Sequence, residues 1–509
     1  ETITGVFITL RSDLIRVEDN IFALGGEQFD GLIAVLAPSA RGPITVTGNR
    51  IGGVLAGISL NDDTSGQNRS SLAAGSLIAD NDIDLQVTPA EAEGPITFRG
   101  IDCAADDTVI RGNRIGFAGS ARAGVQMTGS GGKIVENTLE VDLNADDGAL
   151  TIGILVGVTD EAPHSTEGVA VAMNSVRGTT TAVLVRQATE VAVSDNDLRP
   201  LDLASQPAIS LEETVHAQLR GNTIVSAGTG IISRSGRYTL IDGNTIGRCD
   251  FGIGLLEEFA PSVRGNTLTS PGLFGILAVS CLARTAIVEN HIANAGAVGN
   301  LPFGIGAFLI LGEWHVEANE VLNTGLPVDG NPNTSAAVGI FGVLILESRV
   351  ESNLVSYADI AQLPDGREDR AMILQGLLEL SFATGAQRIV FGFPCQITNN
   401  KFIGKGQTAL VELRQTQIAD NILLRFERVF FNHNYCLHEG GAQGAGNATV
   451  ILDGTAGVVM GNQVKSLAPT QPSMNLGNMP GTVVGNITSA GIINDPDFPT
   501  PEASFNRVL

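Results

Sequence analysis

The 509-residue sequence predicts an all-β solenoid, a fold built from one short unit that is repeated along the chain. A phrase of alternating apolar residues that ends in Asn recurs throughout, at intervals that are as short as 21 to 24 residues. The 62 Gly residues and the many Val, Ile and Asn residues suit short strands joined by tight turns. No segment shows an apolar helical stripe longer than about two turns. Together these observations favour stacked coils of strands over a helical fold.

The recurring phrase is typical of a strand that ends in a turn, as in Val109–Ile115 and Leu240–Ile246. Its Gly-Asn step tolerates the left-handed backbone conformation that a tight turn requires. An Asn at the same corner of every coil can hydrogen-bond to the next Asn and to buried backbone amides, so an internal Asn ladder is expected. The predicted ladder residues are Asn20, Asn49, Asn81, Asn113, Asn137, Asn174, Asn196, Asn222, Asn244, Asn266, Asn290, Asn319, Asn353, Asn400, Asn421, Asn462 and Asn486, with Asn434 as a possible extra member.

A second phrase, Gly followed by Ile or Val, comes after the Asn in many coils, for example at Gly124-Val125 and Gly275-Ile276. Each coil therefore carries about three short strands and three turns. The two phrases together resemble the repeats of right-handed parallel β-helix proteins of the pectate-lyase-like type, a scaffold shared by tailspikes, epimerases and lyases. The resemblance covers nearly the whole chain. It implies a single-stranded right-handed parallel β-helix of about 17 to 18 coils.

The predicted β-helix spans residues 1–491, with loop insertions near 61–75, 323–338 and 356–394. These three stretches are rich in polar and turn-forming residues, and loops on a rigid scaffold often carry function. The Pro-rich and Asp-rich stretch at 492–509 is expected to form an irregular tail or a connection, because Pro does not fit a regular ladder of strands.

Charge and cysteine content exclude several classes of partner. The chain has 54 acidic and 30 basic side chains, a net charge of −24, which disfavours binding to nucleic acid. No run of about 18 apolar residues is present, so no membrane span is expected. The five cysteines are widely spread and form no Cys-x-x-Cys pair, which favours small buried side chains over disulfides or a zinc site.

The enzymes that share this scaffold have motifs that can be sought here. Galacturonan hydrolases of this fold carry Gly-His-Gly and Arg-x-Lys, and both are absent from this sequence. Mannuronan epimerases carry Asp-Pro-His-Asp, for which the nearest match, Asp495-Pro496-Asp497, lacks the His. The motifs therefore favour a protein without catalytic activity, with a polysaccharide lyase or glycoside hydrolase as the alternative.

An early group of acidic residues is the candidate catalytic site if the protein is an enzyme. Stacked coils could bring these carboxylates together, near Arg99, as an acid/base pair or a calcium site. If the protein is not an enzyme, these residues are solvated turn residues. No cofactor is expected, and calcium is the only cofactor that these residues could bind. The candidates are Asp62, Asp63, Asp102, Asp106 and Asp107.

A second possible metal site lies in the segment from Asn432 to His438, which contains His433, Cys436 and His438. In a strand His433 and Cys436 would point to opposite faces, so no metal is expected there.

An apolar stripe is expected on the outer face of the strands that carry the Gly-Ile phrase. In twelve coils the residue after this phrase faces outward, and none of the twelve is ionisable. A long exposed apolar stripe is uncommon on a monomer, so we expect another chain or a second copy to cover it, or else the insertions of the chain itself. The stripe residues are Leu256, Leu277, Val279, Phe308, Phe341 and Val343.

Two functional hypotheses remain open from the sequence. The first is a non-catalytic structural or receptor-binding or glycan-binding rod of an extracellular, cell-surface or phage-like assembly. The second is a carbohydrate-active enzyme, in which the early carboxylates act on a polysaccharide. The low aromatic content of 5% weakens sugar stacking, whether in an enzyme or in a glycan-binding rod.

Overall fold

The computed structural model describes most of the chain. The described residues are 3–7, 15–23, 32–37, 42–54, 56–60, 73–86, 99–118, 123–142, 151–157, 166–201, 206–296, 302–325, 336–357, 368–376, 379–384, 387–391, 393–406, 408–419, 422–424, 426–439, 448–467, 472–477, 479–493, 502–504 and 506–508. They form two compact units, Glu1–Thr245 and Ile246–Leu509. Within the described residues every regular element is a strand, and none is a helix long and apolar enough to cross a membrane.

Each coil contributes one strand to each of three parallel sheets. Sheet I holds the strands that directly precede a ladder Asn, sheet II holds those that directly follow it, and sheet III holds those with the Gly-Ile phrase. In the first unit, sheet I contains Ile15–Glu18, Ile44–Thr47, Leu77–Ala79, Val109–Arg111, Lys133–Val135, Ala170–Ala172, Ala192–Ser194, Gln218–Arg220 and Leu240–Asp242. Sheet II contains Ile21–Ala23, Arg50–Val54, Asp82–Gln86, Arg114–Ala118, Thr138–Asp142, Ser175–Arg177 and Asp197–Arg199. Sheet III contains Ile3–Phe7, Leu32–Leu36, Ala56–Leu60, Arg99–Cys103, Ala123–Met127, Ile152–Gly157, Thr181–Arg186 and Pro207–Glu212, and Thr223–Arg234 runs through sheets II and III.

The second unit repeats this arrangement, with some long strands that bend from one sheet into the next. Sheet I contains Ser262–Arg264, Thr285–Val288, Pro394–Thr398, Phe426–Asn432, Gly454–Met460, Gly481–Val484 and Glu502–Ser504. Sheet II contains Thr267–Thr269, His291–Ala293, Glu320–Leu322, Leu354–Ser356, Lys401–Gly404, Tyr435–His438, Gln463–Ser466, Ile487–Thr488 and Arg507–Val508. Sheet III contains Phe274–Val279, Glu368–Gly376, Val411–Arg414, Val450–Ile451, Met474–Asn475 and Ile492–Ile493. Thr245–Leu256 serves sheets II and III, and Phe303–Glu317 and Ala336–Glu351 serve sheets III and I.

Two small sheets stand outside this pattern. Thr166–Glu167 pairs in parallel with Ala188–Thr189 in the first unit. In the second unit an antiparallel sheet is formed by Glu379–Thr384, Gln387–Phe391, Thr416–Ala419 and Ile422–Leu424. Part of the predicted insertion at 356–394 is therefore an antiparallel hairpin, and another part, Glu368–Gly376, is a regular sheet III strand.

The core of each unit is built from columns of apolar side chains that stack from coil to coil. In sheet I of the first unit, Ile78, Ile110, Ile134, Val171 and Val193 occupy successive register positions and are fully buried. Because side chains alternate between the two faces of a strand, their neighbours in sequence point outward. Burial of such β-branched columns is the main apolar contribution to stability.

The Asn ladder is present in both units, and the predicted right-handed parallel β-helix is confirmed. Asn81 is typical: its Nδ2 donates to Asn113 Oδ1 at 2.9 Å and to the carbonyl of Val46 at 2.9 Å, while its own Oδ1 accepts from Asn49. The residue before the ladder Asn adopts a left-handed turn, as at Asp80 and Gly112. Such bonds satisfy amides that would otherwise be buried without partners.

Two details of the ladder differ from the prediction. The ladder passes from Asn400 to Asn434 and then to Asn462, so Asn434 holds the position that the sequence assigned to Asn421, which lies outside the described residues. At the end of the chain, Asn486 Nδ2 donates to Asn506 Oδ1 at 3.0 Å. The strands Ile492–Ile493, Glu502–Ser504 and Arg507–Val508 pair in parallel with the preceding coil, so the expected irregular tail over 492–509 contains a further coil.

The five cysteines are all free and buried, as expected from their spacing. Burial raises the pKa of the Cys103 and Cys281 thiols to about 11, because the thiolate would lose its hydration.

Candidate ligand-binding groove on sheet II

The outer face of sheet II in the first unit carries an open groove with a volume of about 560 Å³. This size falls within the range that small-molecule sites usually occupy. The groove is lined by Ile21, Phe22, Ala23, Arg50, Ile51, Gly52, Asp82, Ile83, Asp84, Arg114 and Gly116.

Two rows of outward positions form the surface of the groove. Directly after the ladder Asn, Arg50, Asp82 and Arg114 are neighbours on three successive strands. Two residues further along the same strands, Asp84 lies between Gly52 and Gly116. Residues two apart in a strand face the same side, so both rows point out of the sheet. Asp82 thus has an Arg on each side, and Asp84 has a Gly on each side.

The four charged side chains of the groove are exposed, and within the described residues none forms an ion pair or a side-chain hydrogen bond. Adjacent strands are only about 4.8 Å apart, so Arg50 and Arg114 could each have paired with Asp82. Two guanidinium groups therefore keep their donors available, and two carboxylates keep their acceptors available.

The two glycines keep the space beside Asp84 open. A Cβ added to Gly52 would have no atom within 4 Å, and one added to Gly116 would meet only Asp84 Oδ1, at 3.7 Å. Neither Gly has the left-handed backbone that would require glycine there. Because they have no side chain, Gly52 and Gly116 leave room in the groove. Gly112 instead lies in a left-handed turn, a conformation that glycine adopts without strain.

An apolar edge borders the groove at its first coil. Ile21 is 76% exposed, which is unusual for a large apolar side chain, and Phe22 is half-buried beside it. The groove thus combines hydrogen-bonding groups with an apolar edge.

The acidic candidates predicted from the sequence do not form one site. Asp62 and Asp63 lie outside the described residues. Asp102 is buried on the outer face of sheet III, where its Oδ2 is 2.6 Å from Arg99 Nη1. Asp106 and Asp107 follow in the next turn, in which Asp106 Oδ1 accepts from the Ser130 amide at 2.7 Å. Among the described residues no three potential metal ligands lie together, so Asp102, Asp106 and Asp107 are not gathered into one cluster.

Of the His and Cys residues near Asn434, Cys436 and His438 are buried in the core. His438 is fully buried and its Nε2 lies 2.8 Å from the Gly406 carbonyl oxygen, while burial lowers its pKa. Burial raises the pKa of the Cys436 thiol, and His433 lies in a left-handed turn. Cys436 and His438 therefore face the core, whereas His433 is exposed in its turn, so the three side chains do not converge on one site.

The apolar stripe lies on sheet III of the second unit in two neighbouring rows. Leu256, Val279, Phe308 and Val343 share one row, and Leu277 and Phe341 belong to the other. Phe341 is only 8% exposed, because its ring packs 5.6 Å from that of Phe303 and 5.3 Å from that of Phe308. The other five members are half-buried. Phe341 therefore packs within its own chain, and the partner interface remains a prediction for the rest.

The outward row of sheet III also contains ionisable residues that the sequence reading did not include. Asp102 occupies this row in the first unit, next to Ser59 and Gln126. Glu412 occupies it in the second unit, where its carboxylate contacts Arg370 Nε at 3.3 Å and Arg414 Nε at 2.8 Å. These carboxylates are held by arginines of the protein, unlike those of the groove.

Sequence reasoning missed all four charged residues of the groove. The signal was present: the three-residue phrases that follow Asn49, Asn81 and Asn113 read Arg-Ile-Gly, Asp-Ile-Asp and Arg-Ile-Gly. These phrases place opposite charges at the same offset from the ladder Asn on three successive coils, with glycines beside them. This pattern could have identified the stretch as a candidate binding surface.

Comparisons with known proteins give one matching family model and several distant solved structures. The family model described as periplasmic copper-binding protein (NosD) matches residues 157–304, under a third of the chain. No curated protein matches. Among solved structures, the A-module of a mannuronan C-5 epimerase from Azotobacter vinelandii is 12% identical with a TM-score of 0.38, covering 84% of this chain and 91% of that one. A periplasmic alginate epimerase is 11% identical with a TM-score of 0.35 and covers 75% of each chain. The catalytic domain of an α-1,3-glucanase is 14% identical with a TM-score of 0.32, covering 72% of this chain and 64% of that one. At these values the likenesses give no information about activity.

Proposed function

We propose that this protein is a non-catalytic β-helix that binds a polysaccharide in the sheet II groove. The observation that carries the proposal is the set of four exposed charged side chains, Arg50, Asp82, Asp84 and Arg114, which line one groove without pairing with one another.

Sugar hydroxyls match this set because each hydroxyl both donates and accepts hydrogen bonds. The guanidinium groups would donate to ligand oxygens and the carboxylates would accept from ligand hydroxyls, and bonds to charged groups are the stronger kind. The exposed Ile21 at the edge would contact the C–H face of a sugar ring. Since the groove crosses strands from successive coils, an extended chain of sugars would meet a new set of side chains at each coil.

A steric block tests the proposal without removing a polar group. Gly52→Val places a β-branched side chain, which strands tolerate well, into the open floor beside Asp84. Gly247→Val is the matched control, because Gly247 has the same position after its ladder Asn and also has no atom within 4 Å of an added Cβ, but does not line the groove.

In affinity electrophoresis against a panel of soluble polysaccharides, we expect the wild type to be retarded by at least one of them. Gly52→Val should lose that retardation and Gly247→Val should keep it. Retention of binding by Gly52→Val, with unchanged thermal unfolding, would place the ligand elsewhere and contradict the proposal.

Glycoside hydrolysis by the same groove is the second candidate. Asp82 and Asp84 are two residues apart on one strand, a separation of about 6.6 Å along the backbone, and inverting glycosidases hold their carboxyls about 6.5–9.5 Å apart. Against this, both side chains are exposed, whereas a catalytic acid is typically buried in surroundings that keep it protonated. Release of reducing ends by the wild type, lost in Asp84→Asn, would establish this alternative.

The proposal includes a location outside the cytoplasm, as the matching family model is described as periplasmic. It does not include the copper binding in that description. Within residues 157–304 the two cysteines are buried, and no group of three potential metal ligands occurs in the described part of the chain.

A further inference from the structure

We infer that the groove selects neutral polysaccharides over uronate polymers, and that Asp82 and Asp84 determine this selectivity. The inference rests on the polysaccharide binding proposed above. It concerns the chemical class of the ligand, because the volume of the groove and its hydrogen-bonding groups alone do not distinguish neutral from anionic polysaccharides.

The first step concerns the balance of charge in the groove. Its two arginines and two aspartates sum to a formal charge of zero, on a chain whose net charge is −24. The next outward residue beyond Gly116 in the same row is the exposed Glu140, which makes that end of the groove negative. The row of Arg50, Asp82 and Arg114 has a formal charge of +1, and Asp84 in the neighbouring row balances it. The groove as a whole thus offers no excess of positive charge to a polyanion.

The second step concerns where an anionic group would have to lie. The open floor of the groove surrounds Asp84, because Gly52 and Gly116 carry no side chain there. A sugar ring that fills this floor brings its substituents next to a carboxylate. A uronate carboxylate that approached Arg50 or Arg114 instead would be one strand away from Asp82, about 4.8 Å, where repulsion offsets much of the attraction.

The third step concerns what the two carboxylates need from a ligand. Ionised carboxylates only accept hydrogen bonds, and neither Asp82 nor Asp84 has a donor among the described side chains. Hydroxyl groups supply such donors and uronate carboxylates do not. A neutral, hydroxyl-rich chain therefore satisfies all four charged groups. A uronate chain also has hydroxyls, but each residue adds a carboxylate that cannot donate to Asp82 or Asp84 and is repelled by them.

The wild-type protein should be retarded in electrophoresis by at least one of dextran, galactomannan and mixed-linkage β-glucan, and unaffected by alginate and polygalacturonate at equal mass concentration. Stronger binding to alginate or polygalacturonate than to all neutral polymers would overturn the inference while leaving polysaccharide binding intact. Binding to none of the five would instead contradict the proposed function, so the two failures are distinguishable.

The double variant Asp82→Asn/Asp84→Asn tests the residues directly, because it keeps the shape of the side chains and leaves the two arginines in excess. We expect its affinity for polygalacturonate at low salt to rise by about tenfold, from the loss of two like-charge repulsions, and to fall again as salt is added. Affinity for the neutral polymer should drop in the same variant, since amides accept hydrogen bonds more weakly than carboxylates do.

The control is Glu136→Gln/Glu190→Gln, which makes the same change in net charge at two exposed turn residues of the same unit, outside the groove. It should leave both affinities at the wild-type level. An equal gain of polygalacturonate binding in the control would assign the effect to net charge and overturn the role of Asp82 and Asp84. No gain in either double variant would overturn it as well.

Discussion

Two stretches of sheet II in the first unit carry arginine and aspartate on the same outward rows, yet they differ in how these charges are used. In the groove, Arg50, Asp82 and Arg114 lie side by side and remain unpaired. Further along the sheet, Asp197 lies 3.1 Å from Arg199 Nε and 3.7 Å from Arg177 Nη2. The same residue types on the same sheet thus satisfy one another in one place and are left available in the other.

The register explains the paired stretch. Arg177 and Arg199 are direct neighbours across two strands, and Ser175 and Asp197 are the pair beside them. Two like charges opposite each other would be unfavourable, and the carboxylate of Asp197 compensates both. In the groove, Arg and Asp alternate at one register position, where ion pairs would be favourable, yet these side chains remain unpaired. The residue types alone therefore do not determine which surface charges pair in this β-helix.

The largest difference between the two stretches is expected in ligand affinity. Arg114→Ala should weaken polysaccharide binding about tenfold or more, because a hydrogen bond from a charged group is worth roughly 1.5–3 kcal/mol. Its melting temperature should remain that of the wild type, since Arg114 forms no ion pair with any residue that the structure describes. Arg177→Ala, on the paired stretch, is the control and should keep full affinity in isothermal titration calorimetry. An equal loss of polysaccharide affinity in Arg114→Ala and Arg177→Ala would contradict the expected difference between the groove and the paired stretch.

Substitutions in the Asn ladder beneath the two stretches can distinguish an effect on stability from an effect on ligand binding. Asn81 precedes the groove residue Asp82, and Asn196 precedes Asp197, and each donates to a neighbouring Asn and to a buried carbonyl. Asn81→Ala and Asn196→Ala should each lower the free energy of unfolding by about 1–3 kcal/mol, because buried partners are left unsatisfied.

The effect of the two Asn variants on the ligand should differ. Asn81→Ala should also weaken polysaccharide binding, since the ladder bond holds the strand of Asp82 and Asp84 in place. Asn196→Ala should leave binding unchanged at temperatures where the protein is folded. Chemical denaturation together with titration below the transition measures both quantities. A binding loss in Asn196→Ala would mean that local damage spreads along the sheet.

The fold was predictable because every coil uses an Asn at the same position to hydrogen-bond buried backbone groups. The ladder position needs a side chain that both donates and accepts, so the Asn recurs and its spacing can be read directly. The exchange of Asn421 for Asn434 shows the limit of this reading. Several Asn residues fit the phrase locally, and only the pairing of Tyr435–His438 with Lys401–Gly404 decides which one is in the ladder.

The groove was less predictable because its charged residues are far apart in sequence and meet only through equal offsets from successive ladder Asn residues. Asn49, Asn81 and Asn113 are 32 residues apart, while Asn113 and Asn137 are 24 apart. Proximity in sequence therefore says little about which charges meet. Asp102, Asp106 and Asp107 are close in sequence, yet the strand and the turn separate them, whereas Arg50, Asp82 and Arg114 are far apart in sequence and adjacent on the sheet.

The smallest expected effect is on stability, at Asp197. The side chains of Arg177, Asp197 and Arg199 are between 35% and 54% exposed, and exposed ion pairs contribute at most about 1 kcal/mol each. Asp197→Ala should thus lower the free energy of unfolding by no more than about 1 kcal/mol at low salt, and the difference from wild type should vanish near 1 M salt, where screening is strong. Asp82→Ala, at the equivalent position in the groove, should cause no loss of stability, because no ion pair is broken. Urea unfolding of the two variants at both salt concentrations makes the comparison, and a salt-sensitive loss in Asp82→Ala equal to that in Asp197→Ala would show that the groove charges do pair in solution.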